Sequence, residues 1–560
     1  MPSRFSKYVA PTVALLILAF ATGVAVVYQG SEFLQTSGRE AKRILIFENG
    51  VVDRLVPTDD LIGHANTGMF GLLPAYLRTL GSSVSHYKGI ITPSVLAETD
   101  VFIVTNPQQD WTSEELAAVW TWVENGGGLL VLGDHTDLLG IQKSLNRLLA
   151  PAGIHYNFDS AYPIRRNWRF CLSHFVHPAL PSSLDFRNAQ VGIGASLSVS
   201  EPATPLIVGK YGFSDNGNYE NEKGAYLGNY KFSVNERLGN VILSAAAAYG
   251  AGRVLAFGDT STFQNLALPW SFNGLVSRSI LWLESGTDRE NRLAGWVPLT
   301  ISGFLFLFGA VILARPVIAP FIGISLSLPI ILLMKVLQPS PVFLDVKNET
   351  GEATRFAFIQ SGNLATFASE HGSGRGIGGL MSTAIRAGYV PLVVDSIPTS
   401  AQGNALVLIG LKQTLTAEES NRIRAFASNG GHVIIFASKS DEESISDILS
   451  AVYLDIRPVP LGFASERLID AEKKDMPLFA DAWLIAQQEN VVIPEDLKFA
   501  VVASFNDAPV AVASIVGNGY VSIIADSAFP FDQNIEYVFA GDAANIQLLK
   551  KIFEIGKVQQ

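Results

Sequence analysis

The chain has 560 residues, of which 48% are hydrophobic and 16% charged, and its mean hydropathy is +0.28. That length suggests several domains, and that apolar content suggests lipid as part of the environment. A net charge of −11 leaves no basic stripe for phosphate backbones and excludes a nucleic-acid partner, while the single cysteine, Cys171, excludes an intrachain disulfide framework and a cysteine-rich metal site.

Residues Val9–Tyr28 carry no charge and follow Arg4 and Lys7. At helical rise they would span about 30 Å, a hydrocarbon core. The segment is read as an uncleaved anchor in residues 1–35, with a cleavable signal peptide as the competing reading. A second apolar block, Trp296–Leu337, is interrupted by Arg315-Pro316 and divides into Trp296–Ala314 and Val317–Leu337. It reads as a transmembrane hairpin within 293–338, against the alternative of a buried core hairpin. Lys335 sits near its far end, within snorkelling reach of the interface. Three crossings would leave residues 36–292 and 339–560 on one side. The positive-inside bias of Arg4, Lys7 and Arg315 places that side outside a bacterial inner membrane, although Arg39, Lys42 and Arg43 lie on it as well.

The two large segments resemble each other. Thr112–Asp137 (TSEELAAVWTWVENGGGLLVLGDHTD) aligns without gaps to Thr416–Asp441 (TAEESNRIRAFASNGGHVIIFASKSD). Each copy predicts a threonine N-cap, first-turn glutamates, a helix stop at Asn-Gly-Gly and a short apolar strand. His64 with Gly68-x-x-Gly71-Leu72 is echoed by His371 with Gly376-x-x-Gly379-Leu380, and the helices that follow carry Arg78 and Arg386. Gly250–Phe263 (GAGRVLAFGDTSTF) matches Gly517–Phe529 (GNGYVSIIADSAF). The apolar runs ILIF, VFIV, LLVLG and VLAFG do not alternate, as expected of strands buried on both faces. The expected fold class is therefore α/β, with two tandem doubly wound, mostly parallel sheet domains plus three transmembrane helices. Copy one carries extra aromatic, Asn- and Gly-rich sequence, roughly 155–240, which reads as a cap.

The strand-then-glycine opening, the NGGGLLVLGD strand entry and the GDTSTF ending with its weaker copy ADSAF resemble the class I glutamine amidotransferase-like superfamily. The closer resemblance is to its membrane-tethered, non-catalytic branch in gliding-motility-type ABC-transporter accessory subunits. The likeness covers most of both copies and implies a flavodoxin/amidotransferase-like fold. Catalytic members carry a cysteine on the turn after the NGGG-type strand and a histidine after a late strand. Here the turns read Gly133-Asp134-His135-Thr136-Asp137 and Ala437-Ser438-Lys439-Ser440-Asp441, and the late turns carry Asp259-Thr260 and Asp526-Ser527. Cysteine–histidine chemistry is excluded, and the resemblance implies a pseudoenzyme.

Ligands of an open α/β sheet collect beyond the carboxyl ends of its strands. That rule gathers His64, Asp134, His135, Asp137, Asp259 and Thr260 at one crevice of copy one, with His371, Asp441, Asp526 and Ser527 as counterparts in copy two. Asp134, His135 and Asp259 are the candidate catalytic residues, because imidazole and carboxylates together can move protons or hold a divalent metal. The plain alternative is that these groups cap helices and tie loops together. No cofactor is predicted, with a divalent metal as the alternative. His174-x-x-His177-Pro178 offers two further ligands, although its surroundings are apolar. The loop Gly372–Gly379 suggests a phosphate cradle but lacks the P-loop Lys-Ser/Thr. Arg165, Arg166 and Arg169 beside Tyr162, Trp168 and Phe170 suggest a grip on an anionic glycan, a lipid headgroup or a partner protein, against the plain alternative of a solvated lid.

Two functions follow as expectations. The first is a binding or assembly module of the bacterial envelope, whose partners would be the bilayer and membrane-protein subunits. The second is a metal- or acid/base-dependent hydrolase acting on a glycan or amide at the copy-one crevice.

Overall fold

The computed structural model describes residues 42–50, 70–284, 354–360 and 375–557, apart from 109, 166–167, 169–170, 176, 181–191, 266, 270–274, 400, 412, 463–476, 493–498, 506 and 537–540.

Copy one opens with β1 (Arg43–Phe47), β2 (Ser83–Tyr87), β3 (Val101–Thr105) and β4 (Gly128–Leu132). It continues through β5 (Ile154–Tyr156), β6 (Asp159–Pro163), β7 (Leu172–His174), β8 (Leu197–Val199), β9 (Ala203–Gly209) and β10 (Gly212–Asn216) to β11 (Val241–Tyr249) and β12 (Gly252–Phe257). The sheet runs β2-β1-β3-β4-β12-β11, and its first five strands are parallel. Copy two contains β13 (Phe356–Gln360), β14 (Val390–Val394), β15 (Ala405–Ile409), β16 (His432–Phe436), β17 (Leu454–Gly462), β18 (Ala482–Gln487), β19 (Phe499–Phe505), β20 (Ala508–Val516) and β21 (Gly519–Ile524). Its sheet runs β14-β13-β15-β16-β21-β20-β19, and the first five strands are again parallel.

Successive residues of the parallel strands alternate between two apolar layers, as strand geometry requires. In copy one, Ile44, Ile46, Val101, Ile103, Leu130 and Leu132 pack with the helices Leu72–Thr79 and Leu275–Glu284. Leu45, Phe47, Phe102, Val104, Leu129 and Val131 pack on the other face with Ser113–Glu124 and Ile141–Leu149. In copy two the helices Gly378–Arg386 and Ala543–Ile555 cover one face.

The sequence expectation needs two corrections. First, the sheets are mixed. β11 turns back onto β12, and β20 onto β21, through two-residue loops in which Gly250 (φ +58°) and Gly517 (φ +60°) adopt left-handed backbone. A loop that short can join only antiparallel neighbours, because a parallel crossover needs a dozen or more residues. Antiparallel β9 and β8 then add to β11, with β5 on β8 and β7 on β9, while β19 adds to β20. The segment read as a cap therefore extends the main sheet as well. Among the described residues, β6–β10 in copy one and β17–β18 in copy two form separate two-stranded sheets.

Second, among the described residues no helix is long and apolar enough to cross a membrane. The longest, Ala543–Ile555, has 13 residues and so extends about 20 Å, against the 30 Å of a bilayer core. The expected spans 9–28, 296–314 and 317–337 lie outside the described residues. The high apolar content of the described chain is accounted for by strands buried along their whole length, such as β3, β4, β13, β15 and β16.

Both repeat-defining helices begin with the same reciprocal cap. Thr112 Oγ1 accepts from the Glu115 amide at 3.1 Å while Glu115 Oε2 accepts from the Thr112 amide at 3.0 Å. Thr416 and Glu419 repeat it at 3.2 and 2.9 Å. Replacing a capping threonine by alanine costs about 1 kcal/mol. Thr416→Ala is expected to lower copy-two stability by that amount in urea unfolding. Glu115→Ala should cost more than Thr112→Ala, because the other Glu115 oxygen also accepts the buried Ile91 amide at 3.1 Å.

The copies meet through equivalent elements. The Leu72–Thr79 helix of copy one touches the Gly378–Arg386 helix of copy two, and one apolar cluster contains residues of both copies. Beside this contact, Arg386 forms a two-pronged ion pair with the fully buried Glu536, at 2.8 and 3.1 Å.

Candidate functional site

β4 and β12 lie side by side in parallel register, with Leu132 opposite Phe257. Each leads into a glycine, and neither glycine has room for a side chain. A Cβ on Gly133 would overlap the Tyr156 ring, and one on Gly258 the Ala195 carbonyl oxygen. Asp134 and Asp259 follow immediately and emerge at the same carboxyl edge of the sheet, as the crevice rule anticipates.

The structure brings Asp134, His135 and Asp259 together. Asp134 Oδ1 accepts the His135 amide at 2.8 Å, and the His135 ring places Nε2 3.7 Å from the same oxygen and Nδ1 3.2 Å from Thr136 Oγ1. Asp259 Oδ2 accepts the Gly192 amide at 2.6 Å and Oδ1 accepts the Ser261 hydroxyl at 3.0 Å. Burial pushes Asp134 up to about 6. Burial, and then the charge of Asp134, push Asp259 up to about 6, against the opposing pull of its hydrogen bonds. Burial lowers His135 below the usual imidazole range, partly countered by the Asp259 charge. At neutral pH this is a neutral imidazole beside two carboxyls that take up protons a little below neutrality.

The remaining described candidates are engaged in hydrogen bonds of their own turns or of neighbouring segments. Asp137 Oδ1 accepts the Gln142 amide at 2.8 Å. Thr260 is buried and its hydroxyl accepts from Gln264 Nε2 at 2.8 Å. In copy two, Asp441 Oδ2 accepts the Ser438 amide at 2.8 Å, and the Ser438 and Ser527 hydroxyls lie 2.9 Å apart. Asp526 is fully buried and accepts four backbone amides, from Ala480, Asp481, Ala528 and Phe529, at 2.6 to 2.9 Å. The two late-strand aspartates thus do equivalent work. Asp259 fastens the segment entering β8, and Asp526 the segment entering β18.

His64 and His371 lie outside the described residues, as do Arg166, Arg169 and Phe170. His177 accepts the Ala179 amide at 3.2 Å through Nδ1 and packs edge-on against Trp282 at 4.7 Å, while His174 sits on β7. Among the described residues no three His, Cys, Asp or Glu side chains are grouped to hold a metal ion. Trp168 is not a surface platform. It is buried against Gly209 and Gly212 and donates to the Gly192 carbonyl at 3.0 Å. The insertion does reach over the crevice, since Thr136 Oγ1 donates to the Ala225 carbonyl at 2.6 Å.

Sequence reasoning missed a second shared device. Six residues after each late-strand aspartate stands a buried helix cap: Asn265 Oδ1 accepts the Leu72 amide at 2.7 Å, and Asp532 Oδ1 accepts the Gly379 amide at 2.8 Å. The equal spacing from Asp259 and Asp526 was the available signal. Asp532 also supplies the oxygen that a phosphate would bring to the entry of the Gly378–Arg386 helix. Burial, with the Glu536 charge nearby, raises it to about 7.

Fold and site together define a duplicated α/β protein whose two sheets carry matched carboxylate edges. The chain matches the family described as a domain of unknown function (DUF4350) over residues 73–268 and 376–545, which are the two copies, and it belongs to that family. No curated protein matches it. Among solved structures it is similar to the mmIFT52 N-terminal domain (19% identity, TM-score 0.31, 44% of this chain and 98% of that one). It is also similar to a cytoplasmic protein from Salmonella typhimurium (14%, 0.22, 43% and 98%) and to a thua-like protein from Parabacteroides merdae (12%, 0.25, 44% and 90%). At scores this low none of them informs the function.

Proposed function

We propose that the chain is a binding or assembly protein built from two fused, catalytically degenerate amidotransferase-like domains, which takes a partner subunit or a small ligand. The observation that supports this is the employment of the late-strand aspartates. In both copies the carboxylate at the position where a catalytic histidine would stand is engaged by its own turn and by the backbone of a distant segment. No cysteine stands on either early turn. A second reading keeps one specific support: Asp134, His135 and Asp259 do converge, and both carboxyls titrate near neutrality, as an acid/base hydrolase of glycans or amides would need.

One pair of variants separates the two. Under the binding reading, the purified full chain shows no turnover on glycan and amide substrate panels. It retains a stoichiometric co-purifying partner, and the partner stays with Asp134→Asn and His135→Ala. Turnover by the wild type that either variant abolishes would establish the hydrolase instead.

The same pair makes a stability prediction. The folded-state pKa values of Asp134 and Asp259 lie above the ordinary carboxylate value, so the folded state holds these protons better than the unfolded chain. The corresponding stability is present below about pH 4 and is lost as pH rises through about 6. Urea unfolding is expected to show stability falling from pH 5 to pH 7.5. Asp134→Asn should flatten that fall and raise stability at pH 7.5 by about 1 kcal/mol. An unchanged slope in the variant would show that burial does not make Asp134 hold its proton more tightly in the folded state.

A further inference from the structure

The β6–β10 ribbon of copy one carries a face that the crevice does not use. Side chains alternate along its strands. Ala161 faces the core, while Phe158, Tyr162 and Phe213 take the opposite, outer face. The loop after β10, residues 217–233, folds onto that face and adds Tyr219, Tyr226 and Tyr230. Tyr219 stacks flat on Phe158 with ring centroids 3.9 Å apart, and Tyr230 stands edge-on to Tyr162 at 6.0 Å. The two groups of rings sit at opposite ends of the ribbon, about 13 Å apart for four residues of strand.

Packing explains only part of this arrangement. Phe158 and Tyr162 are half-buried, but Tyr219 and Tyr230 remain 67% and 59% exposed. With one face of Tyr219 on Phe158, its other face is left to solvent. Tyr226 and Tyr230 also have φ of +58° and +61°, left-handed backbone that a tyrosine adopts only under constraint and a glycine adopts freely. Each is pinned in place. The Tyr226 amide donates to the Asn221 carbonyl at 2.8 Å, and the Tyr230 amide to Asp215 Oδ2 at 2.8 Å. Thr136 holds the neighbouring Ala225 at the rim of the crevice. At Tyr230 the fold keeps a strained tyrosine facing solvent where glycine would fit with less cost, and such strain marks a functional position.

The chemistry of the face selects its ligand. Residues 216–240 contain three acids, Glu220, Glu222 and Glu236, and three bases, Lys223, Lys231 and Arg237, so the local charge is balanced and draws neither an anion nor a cation. Six asparagines are interspersed with the rings, so a matching ligand has hydrogen-bonding groups round its rim as well as flat apolar faces. A sugar ring has both, with C–H faces for the π-faces of tyrosine and hydroxyls for the amides. Tyrosine and asparagine together offer rigid contact area and adaptable hydrogen bonding at low entropic cost. Ring groups at both ends of the ribbon suit a chain of sugars better than a single one.

We infer that the outer face of the β6–β10 ribbon is a binding platform for an uncharged oligosaccharide, which stacks on Tyr219 at one end and Tyr230 at the other. The inference rests on neither reading of the copy-one crevice, since binding is measured without turnover.

The test is calorimetry of the full chain with three uncharged hexasaccharides, of β-1,4-linked glucose, β-1,4-linked N-acetylglucosamine and α-1,4-linked glucose. The expected result is saturable binding of at least one, equal at low and high salt as an uncharged ligand requires. Tyr219→Ala and Tyr230→Ala are each expected to weaken it about tenfold or more. Ile90→Ala, which removes an apolar side chain that is 66% exposed outside the insertion, should leave it unchanged. Tyr230→Gly is the decisive variant. It should bind as weakly as Tyr230→Ala and melt no lower than the wild type, because glycine relieves the left-handed backbone. A Tyr230→Gly protein that melts lower yet binds like the wild type would make Tyr230 a packing residue and overturn the assignment. So would absence of saturable binding, equal weakening by Ile90→Ala, or self-association of the wild type that Tyr219→Ala abolishes, which would give the face to a second copy of the chain.

Discussion

Asp526→Ala is expected to destabilise copy two by about 4 kcal/mol, because it leaves four backbone donors, one buried and three partly buried, without their acceptor. Each unpaired buried donor costs about 1–3 kcal/mol, with some recovery through local relaxation. Asp526→Asn makes the argument sharper. Oδ2 faces the amides of Ala480 and Asp481, and Oδ1 those of Ala528 and Phe529. Whichever way an asparagine amide is turned, its NH₂ points at two N–H groups, so the near-isosteric change should still cost about 2 kcal/mol. Asp259 holds the amides of Gly192 and Ser261 and the Ser261 hydroxyl, one donor fewer than Asp526, and Asp259→Ala should cost less than Asp526→Ala. Denaturant unfolding of the full chain, read with probes in each copy, checks the ranking. Equal stabilities for Asp526→Asn and wild type would show that the loop entering β18 is not held in this way.

Gly252→Ala and Gly519→Ala are each expected to cost about 3 kcal/mol, although alanine suits their backbone angles, since neither is among the glycines with positive φ. These are equivalent positions at the starts of β12 and β21, where the strand passes the end of the repeat-defining helix. A Cβ on Gly252 would overlap the Val123 carbonyl oxygen and lie 2.5 Å from that of Gly127. One on Gly519 would overlap the carbonyl oxygens of Gly431 and Ala427. Backbone atoms at both contacts cannot rotate away, so the strand or the helix must shift. Gly140→Ala is the control for conformation alone. Gly140 has a φ of +81° and open space around its Cβ, so alanine there should cost only about 1 kcal/mol. Thermal melts that put all three variants level would show that close approach is not what selects glycine at β12 and β21.

The duplication was legible from local chemistry. A threonine with glutamate three residues on, a stop at Asn-Gly-Gly and an uninterrupted apolar strand are short-range signals, and both copies carry them at the same spacing. Thr112, Glu115, Gly126 and their counterparts Thr416, Glu419 and Gly430 act as that spacing requires. The antiparallel half of each sheet was not legible from apolar runs. VILSAAAAY is buried almost throughout, and burial on both faces is the same whether a neighbour runs parallel or antiparallel. The deciding signal was the two-residue loop at Gly250-Ala251 and Gly517-Asn518. The transmembrane expectation rested on hydropathy, and the described helices do not supply it.

What the sequence by itself determined is the strand–helix unit, its repetition and the identity of the residues at each strand end, because capping, turn and burial preferences act over a few residues. Only the tertiary structure decided what those strand-end residues do. Whether Asp259 and Asp526 face a ligand or clasp a backbone depends on where Gly192 and Ala480 come to lie, 67 and 46 residues away. The meeting of the Leu72–Thr79 helix with the Gly378–Arg386 helix is likewise set by how two folded copies pack, and long-range packing leaves no periodicity in the chain for a reader to find.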